Sequence, residues 1–113
     1  MKTDLSYLVD MTEGNKGLIS EMIEIFSTQV NQYRSLMLQF YIEENWDEIS
    51  HLAHKAKSSV AIMGMKDLAE KLKELELLAR DGKDTERYPA MIDDFRNECK
   101  IAIAELQDYV SNR

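Results

Sequence analysis

The chain has 113 residues, of which 21 are acidic and 14 basic, and its formal net charge is −7. This length suits a single domain over residues 1–113, and the hydrophobic fraction of 44% is that of a folded globular protein. The acid excess argues against nucleic acid as a partner, because phosphate backbones attract basic surfaces. The single cysteine, Cys99, rules out an internal disulfide, and no apolar run reaches the roughly 20 residues that span a bilayer. These features predict a cytoplasmic protein that does not bind membranes.

The composition and the hydrophobic pattern both predict helices. Four glycines and one proline are too few turn residues for a β-rich domain. A short helix is predicted over residues 4–11, and apolar side chains then recur every three or four residues along four segments, as on one face of a helix. These side chains are Leu18, Met22, Phe26, Val30, Tyr33, Met37 and Phe40; Ile49, Leu52, Ala53, Ala56, Val60 and Met63; Leu68, Leu72, Leu75 and Leu78; and Met91, Phe95, Cys99, Ala102, Leu106 and Tyr109.

Helix boundaries are predicted where these patterns stop. Asn45 suits an N-cap, and Gly64 and Gly82 suit the left-handed conformation that ends many helices. The last helix is predicted to start at residues 84–85, with Pro89 near its first turn, where a missing N–H costs little. The resulting expectation is an all-α fold, an antiparallel up-down four-helix bundle with a short additional N-terminal helix.

One segment departs from the acidic character of the chain. Residues 49–66 contain no Asp or Glu, yet they carry both histidines, His51 and His54, together with three lysines. A helix packed on several sides would also carry few charges, so the composition alone does not establish a site.

The spacing around His54 is typical of a reactive histidine. His54 lies at the border of the apolar helix face, and Lys57 and Ser58 follow three and four residues later on the same side. Small neighbours leave the ring accessible to a large partner, and the lysine favours a negative group beside it. A neutral imidazole is a nucleophile, so this arrangement suits a histidine that accepts a phosphoryl group. A boundary histidine that only satisfies a backbone carbonyl would show the same pattern, and both interpretations stay open on this evidence.

The residues around His54 also carry a family resemblance. Residues 46–48, 52–65, 68–70 and 75–76 together resemble a histidine-containing phosphotransfer (HPt) domain. The family pattern is a histidine, a lysine three residues later, small residues after that and a glycine ten residues later, which correspond here to His54, Lys57, Ser58, Ser59 and Gly64. The chain departs from the pattern at Ser58, where the family usually has glycine, and at Ala56, where it usually has leucine.

The resemblance implies a role for each site residue. His54 would be the phosphorylated nucleophile, Lys57 would offset the charge of the phosphohistidine, and Ser58 would leave clearance for a partner. The family often has Gln or Glu 22 residues after the histidine, a position that Glu76 occupies here. Glu76 would hold the far ring nitrogen as a donor, although an ordinary solvated helix carboxylate is an equally good interpretation of this residue.

The resemblance further implies a phosphocarrier that is not an enzyme. It would accept a phosphoryl group from an aspartyl phosphate on one receiver domain and pass it to another, in a relay that begins at a hybrid histidine kinase. No cofactor is expected in the carrier, because Mg²⁺ would be supplied by the receiver. The chain is expected to be a monomer, and its initial Met1 and lack of linker sequence favour a stand-alone domain over part of a larger kinase. Apolar surface around the N-terminal helix (Leu8, Met11) and the start of the second helix would form the rest of the docking face.

Two other functions fit parts of the sequence. Glu48 and His51 are spaced like one ligand pair of a di-iron carboxylate protein, but such sites need two such pairs and two further carboxylates. The second serious alternative is a helical adaptor or regulatory bundle in which His54 does no chemistry. Acid-labile phosphorylation of His54 by a phosphorylated receiver would distinguish the adaptor from the phosphocarrier.

Overall fold

The computed structural model describes residues 6–111, and helices account for nearly all of them. Their order is α1 (Ser6–Thr12), α2 (Lys16–Ile42), α3 (Trp46–Ile62), α4 (Lys66–Asp81) and α5 (Tyr88–Ser111), with one 3-10 turn (Thr85–Arg87) before α5. Of the predicted N-terminal helix over 4–11, positions 4 and 5 lie outside the described residues. No helix within 6–111 is both long enough and apolar enough to cross a bilayer.

The four long helices form a bundle of 45 × 19 × 19 Å. Each of α2, α3 and α4 packs against the helix that follows it, and α5 closes the ring by packing against α2, while α1 lies against α2. The short connections make sequential helices antiparallel neighbours. The predicted fold, an up-down four-helix bundle with a short additional N-terminal helix, is confirmed.

The predicted apolar face of α3 is confirmed, whereas that of α2 is wrong in its first two turns. All six predicted residues of the α3 stripe are buried. In α2, Leu18 is 43% exposed and Met22 is only partly buried against the core, whereas Ile19 and Ile23 are buried. Apolar residues occupy two adjacent faces there, so the pattern alone cannot choose between them. The short helix α1 packs on α2 and its Leu8 joins the same core as Ile19, which is the tertiary contact that the pattern lacked.

Capping residues and glycine turns fix where α3 and α4 begin and end. Asn45 caps α3 by accepting a hydrogen bond from the backbone N–H of Glu48 at 3.4 Å, as predicted. Gly64 has φ +75° between α3 and α4, and Gly82 ends α4 with φ +64°. A Cβ on Gly82 would lie 3.4 Å from the Trp46 ring, so the turn after α4 packs closely on the start of α3. These contacts set the position of α4 along α3.

Candidate functional site

The site is built on the α3–α4 hairpin, whose register is fixed next to His54. Ser50 is buried on α3 and its hydroxyl donates a hydrogen bond of 2.8 Å to the backbone carbonyl of Glu76 on α4. This contact brings residue 76 to the side of α3 that carries His54 one turn later.

His54 and Glu76 are in direct contact. His54 Nδ1 lies 3.1 Å from Glu76 Oε2, and the side chain of His54 is 60% exposed while that of Glu76 is 21% exposed. A carboxylate only accepts hydrogen bonds, so the pair requires the proton of the ring to be on Nδ1. The other ring nitrogen, Nε2, then carries its lone pair and makes no hydrogen bond within residues 6–111. The ring is thus held in the tautomer whose outer nitrogen is a nucleophile.

Lys57 approaches the same carboxylate from the other side. Its Nζ donates to Glu76 Oε1 at 3.0 Å, so the two oxygens of Glu76 hold one group each. Burial acts to raise the pKa of Glu76, but the hydrogen bonds and charges of Lys57 and His54 outweigh it, and the pKa is lowered below its usual range. Glu76 is therefore an ionised carboxylate at neutral pH, and in this state Lys57 faces it and not the open edge of the ring.

The other two predicted positions on α3 are exposed. Ser58 lies one turn after His54 on the outside of the bundle, where its small side chain adds little bulk. His51 is 72% exposed and its Nδ1 is 3.9 Å from Glu48 Oε1, so it is a surface residue. Within residues 6–111 no three His, Cys, Asp or Glu side chains are placed to share a metal ion. The predicted roles of His54, Lys57, Ser58 and Glu76 stay predictions, but the structure brings three of them into one cluster.

The predicted docking face needs one correction. Met11 is exposed, as expected, but Leu8 is fully buried and cannot contact a partner. The reason is that α1 turns its Leu8 into the core to cover the start of α2.

A feature that the sequence reasoning missed is a groove of about 220 Å³ between α2 and α3, lined by Ile25, Gln29 and Ile62 among others. Ile25 is 59% exposed on this rim. The groove is tied together by Ser59, whose hydroxyl donates to Gln29 Oε1 at 3.2 Å. The signal for it was available, because Ile25 and Ile62 are apolar residues outside the predicted stripes.

Comparisons with known proteins agree with this architecture. A family model described as Hpt domain matches residues 21–111. The crystal structure of histidine-containing phosphotransfer protein B (HptB) from Pseudomonas aeruginosa PAO1 is similar, with a TM-score of 0.87 and 22% sequence identity over 99% of this chain and 96% of that one. At this identity the likeness concerns the fold. No curated protein sequence matched the chain.

Proposed function

Because the chain belongs to the Hpt domain family, whose members are phosphocarriers in phosphorelays, we propose that it carries the phosphoryl group on Nε2 of His54. The phosphoryl group would come from an aspartyl phosphate of one receiver domain and go to an aspartate of another. A hybrid histidine kinase would load the first receiver, and the carrier would act in the cytoplasm as a monomer without its own ATP or metal site.

The contact between His54 Nδ1 and Glu76 is the single observation that carries this proposal. It supports Nε2 as the attacking atom, since a ring with its proton on Nδ1 has its free lone pair on Nε2. The exposed position of His54 supports access by a partner domain. A histidine that only satisfied the backbone would not need a carboxylate from the next helix.

The transfer step follows from this geometry. The Nε2 lone pair of His54 attacks phosphorus, the bond from phosphorus to the aspartyl oxygen of the receiver breaks, and that aspartate leaves as a carboxylate. The ring then carries the phosphoryl group on Nε2 and its original proton on Nδ1, facing Glu76. In the onward step a carboxylate oxygen of the second receiver's aspartate attacks phosphorus and the bond from Nε2 to phosphorus breaks. Its electron pair returns to the ring, which leaves as the neutral imidazole because Nδ1 has kept its proton. Mg²⁺ on the receiver would neutralise charge on the moving group.

Lys57 is placed to serve the phosphorylated state. It pairs with Glu76 at 3.0 Å, and a flexible lysine can move between nearby anions at little cost. We expect its ammonium group to shift from Glu76 toward the phosphoryl oxygens when His54 is loaded, because the dianion is the stronger attraction.

The surface beside the site suits a receiver domain. The α2–α3 groove lies on the α2 side of α3, where Ser59, five residues after His54, contacts Gln29. Its rim includes the exposed side chains of Ile25 and Ile62. Protein interfaces commonly combine an apolar contact with a polar reacting centre. We propose this groove, together with the exposed surface around Ser58, as the docking face.

Phosphorylation of the full chain tests the proposal. The chain is mixed with phosphorylated receiver domains, and acid-labile phosphate is measured on the wild type, on His54→Gln and on the matched control His51→Gln. We expect transfer to wild type and to the His51 variant, and none to the His54 variant. Loss of transfer in the His51 variant alone would show that His51, and not His54, is the phosphorylated residue. If neither a receiver nor phosphoramidate phosphorylates any of the three forms, the adaptor function is favoured.

A further inference from the structure

A second segment without carboxylates lies on α2. Residues 25–42 contain no Asp or Glu, and Arg34 is the only charged residue among them, although the chain as a whole has a net charge of −7. The carboxylate-free segment of α3 is accounted for by the phosphotransfer site. That of α2 runs over more than half of a 27-residue helix and is not explained by that site.

On the α5 side, this part of α2 borders a groove of about 400 Å³. Its polar lining consists of Ser27 and Asn31 from α2 and of Arg96, Lys100 and Gln107 from α5. All of these side chains can donate hydrogen bonds, and none is an acid. The groove is therefore a concave surface built to face an anionic group.

Most of the acidic residues of α5 lie away from the groove. Arg96 and Lys100, four residues apart on one face, line the groove toward α2. The acidic residues Asp94, Glu98 and Glu105 line grooves toward α4 or the α3–α4 turn instead, and Lys71 of α4 binds the first two of them. Asp93 is exposed on the same side of α5, three residues before Arg96, but it does not line the groove, whose lining holds two basic residues and no carboxylate.

The basic groups of this surface lack acidic partners. Neither Arg96 nor Lys100 takes part in an ion pair within the described part of the chain, although both are exposed. Arg34 lies three residues after Asn31 and so continues the same face of α2. Its Nε is shielded from solvent and has no hydrogen-bond acceptor among the described residues. The groove lining therefore carries two cationic side chains and no carboxylate to balance them.

The groove is on the far side of the bundle from His54. Because α2 packs between α3 and α5, and α4 between α3 and α5, the α2–α5 side is opposite the α3–α4 side that carries His54 and Glu76. A molecule bound here would leave His54 open to a receiver.

We propose that the α2–α5 groove is a docking surface for an acidic segment of a partner protein, one that presents two carboxylates about one helical turn apart. One carboxylate would pair with the guanidinium of Arg96, whose fork matches its two oxygens, and the second with Lys100. Asn31 and Gln107 would bind polar groups beside them. Charge complementarity argues for a protein segment and against a single small anion, since the groove lining, which holds no carboxylate, extends along several turns of α2 and α5.

Binding of a defined acidic peptide tests this proposal. The probe is a synthetic helical peptide with glutamates four residues apart, and its control replaces each glutamate by glutamine. Amide chemical shifts of the full chain are followed by NMR at low salt. We expect the glutamate peptide, and not its glutamine twin, to shift amides of residues 27–34 and 96–107. The double variant Arg96→Glu/Lys100→Glu should weaken binding about ten-fold or more.

A matched charge reversal distinguishes binding at the α2–α5 groove from an effect of the net charge of the chain. Lys66→Glu/Lys83→Glu changes the chain charge equally at exposed positions away from α2 and should alter affinity less than about two-fold. Circular dichroism checks that each variant folds, and Arg96→Gln/Lys100→Gln replaces the reversal if it does not. Equal weakening by both charge reversals would overturn the proposal, as would shifts centred on His54. Inorganic phosphate that shifts the same amides as strongly as the peptide would assign the groove to free anions and also overturn it.

Discussion

Replacing Glu76 with glutamine tests the cluster that supports the proposed chemistry. The glutamine oxygen can still accept the His54 Nδ1 proton, but its amide carries no charge and cannot form the ion pair with Lys57. The variant therefore keeps the shape of the site and removes the carboxylate. We expect slower phosphotransfer with unchanged helix content.

The size of the effect follows from the exposure of the partners. A hydrogen bond to a charged group contributes roughly 1.5–3 kcal/mol when it is well shielded. His54 is 60% exposed and Lys57 is 26% exposed, so solvent reduces that contribution. We expect the proton on Nδ1 to lose about 1 kcal/mol of stabilisation relative to the proton on Nε2, a change of about five-fold in the tautomer ratio. Single-turnover transfer from a phosphorylated receiver should slow by about three- to ten-fold.

The pH dependence of stability gives an independent readout. The pKa of Glu76 is lower in the folded chain than its usual value, because Lys57 and His54 outweigh the effect of burial. A carboxyl with a lowered pKa stabilises the folded state above its unfolded pKa, and this stabilisation is lost as the pH falls through its folded pKa. The difference in unfolding free energy between wild type and Glu76→Gln should be constant near neutral pH and shrink below about pH 4.5. A Glu76→Gln chain that transfers at the native rate, with a stability difference that does not change with pH, would refute the assigned contacts.

Three further results are expected. Lys57→Ala should slow transfer and shorten the lifetime of phosphorylated His54 several-fold, whereas Lys55→Ala should have a smaller effect. Equal effects of the two variants in a phosphohistidine decay assay would show that the positive charge of α3, and not the position of Lys57, stabilises phosphorylated His54. Ser58→Gln should fold at least as well as wild type and still accept phosphate from phosphoramidate, but the rate of transfer from a receiver should fall about ten-fold or more. Transfer from the receiver at the native rate would place the docking face elsewhere. Burial raises the pKa of Cys99 to about 12. Its reaction with a thiol reagent near pH 8 should therefore be about 100-fold slower in the folded chain than in denaturant. Comparable rates in the two conditions would show that α5 opens readily.

The fold could be predicted from the sequence because the spacing of the apolar residues and the positions of the capping and turn residues agree along most of the chain. All six core residues predicted for α3 are buried, and Asn45 caps the helix as expected. The failure in α2 has a physical cause. Its first turns carry apolar residues on two faces, and a contact with another element, α1, decides between Ile19 and Leu18.

The site was predictable in part for a similar reason. The spacing of His54, Lys57 and Ser58 lies within one helix, where 3.6 residues per turn sets which side chains share a face. The α2–α3 groove and the position of most acidic residues of α5 away from the α2–α5 groove depend on which helices are neighbours and on how they are rotated. Periodicity does not contain that information, because the same stripes are compatible with more than one order of helices around the core.

The contact between His54 and Glu76 is an intermediate case, since it links two helices and yet follows from one short turn. The two residues are 22 apart in sequence, and the position midway between them is Met65, in the connection between α3 and α4. Two antiparallel helices joined by a tight turn bring residues at equal distances from that turn to the same level. Gly64, with φ +75°, makes the turn tight, and the bond from Ser50 to the Glu76 backbone holds the level. The tight turn therefore explains the 22-residue spacing that the family resemblance implied. It places a carboxylate 22 residues after the histidine at the level of the ring.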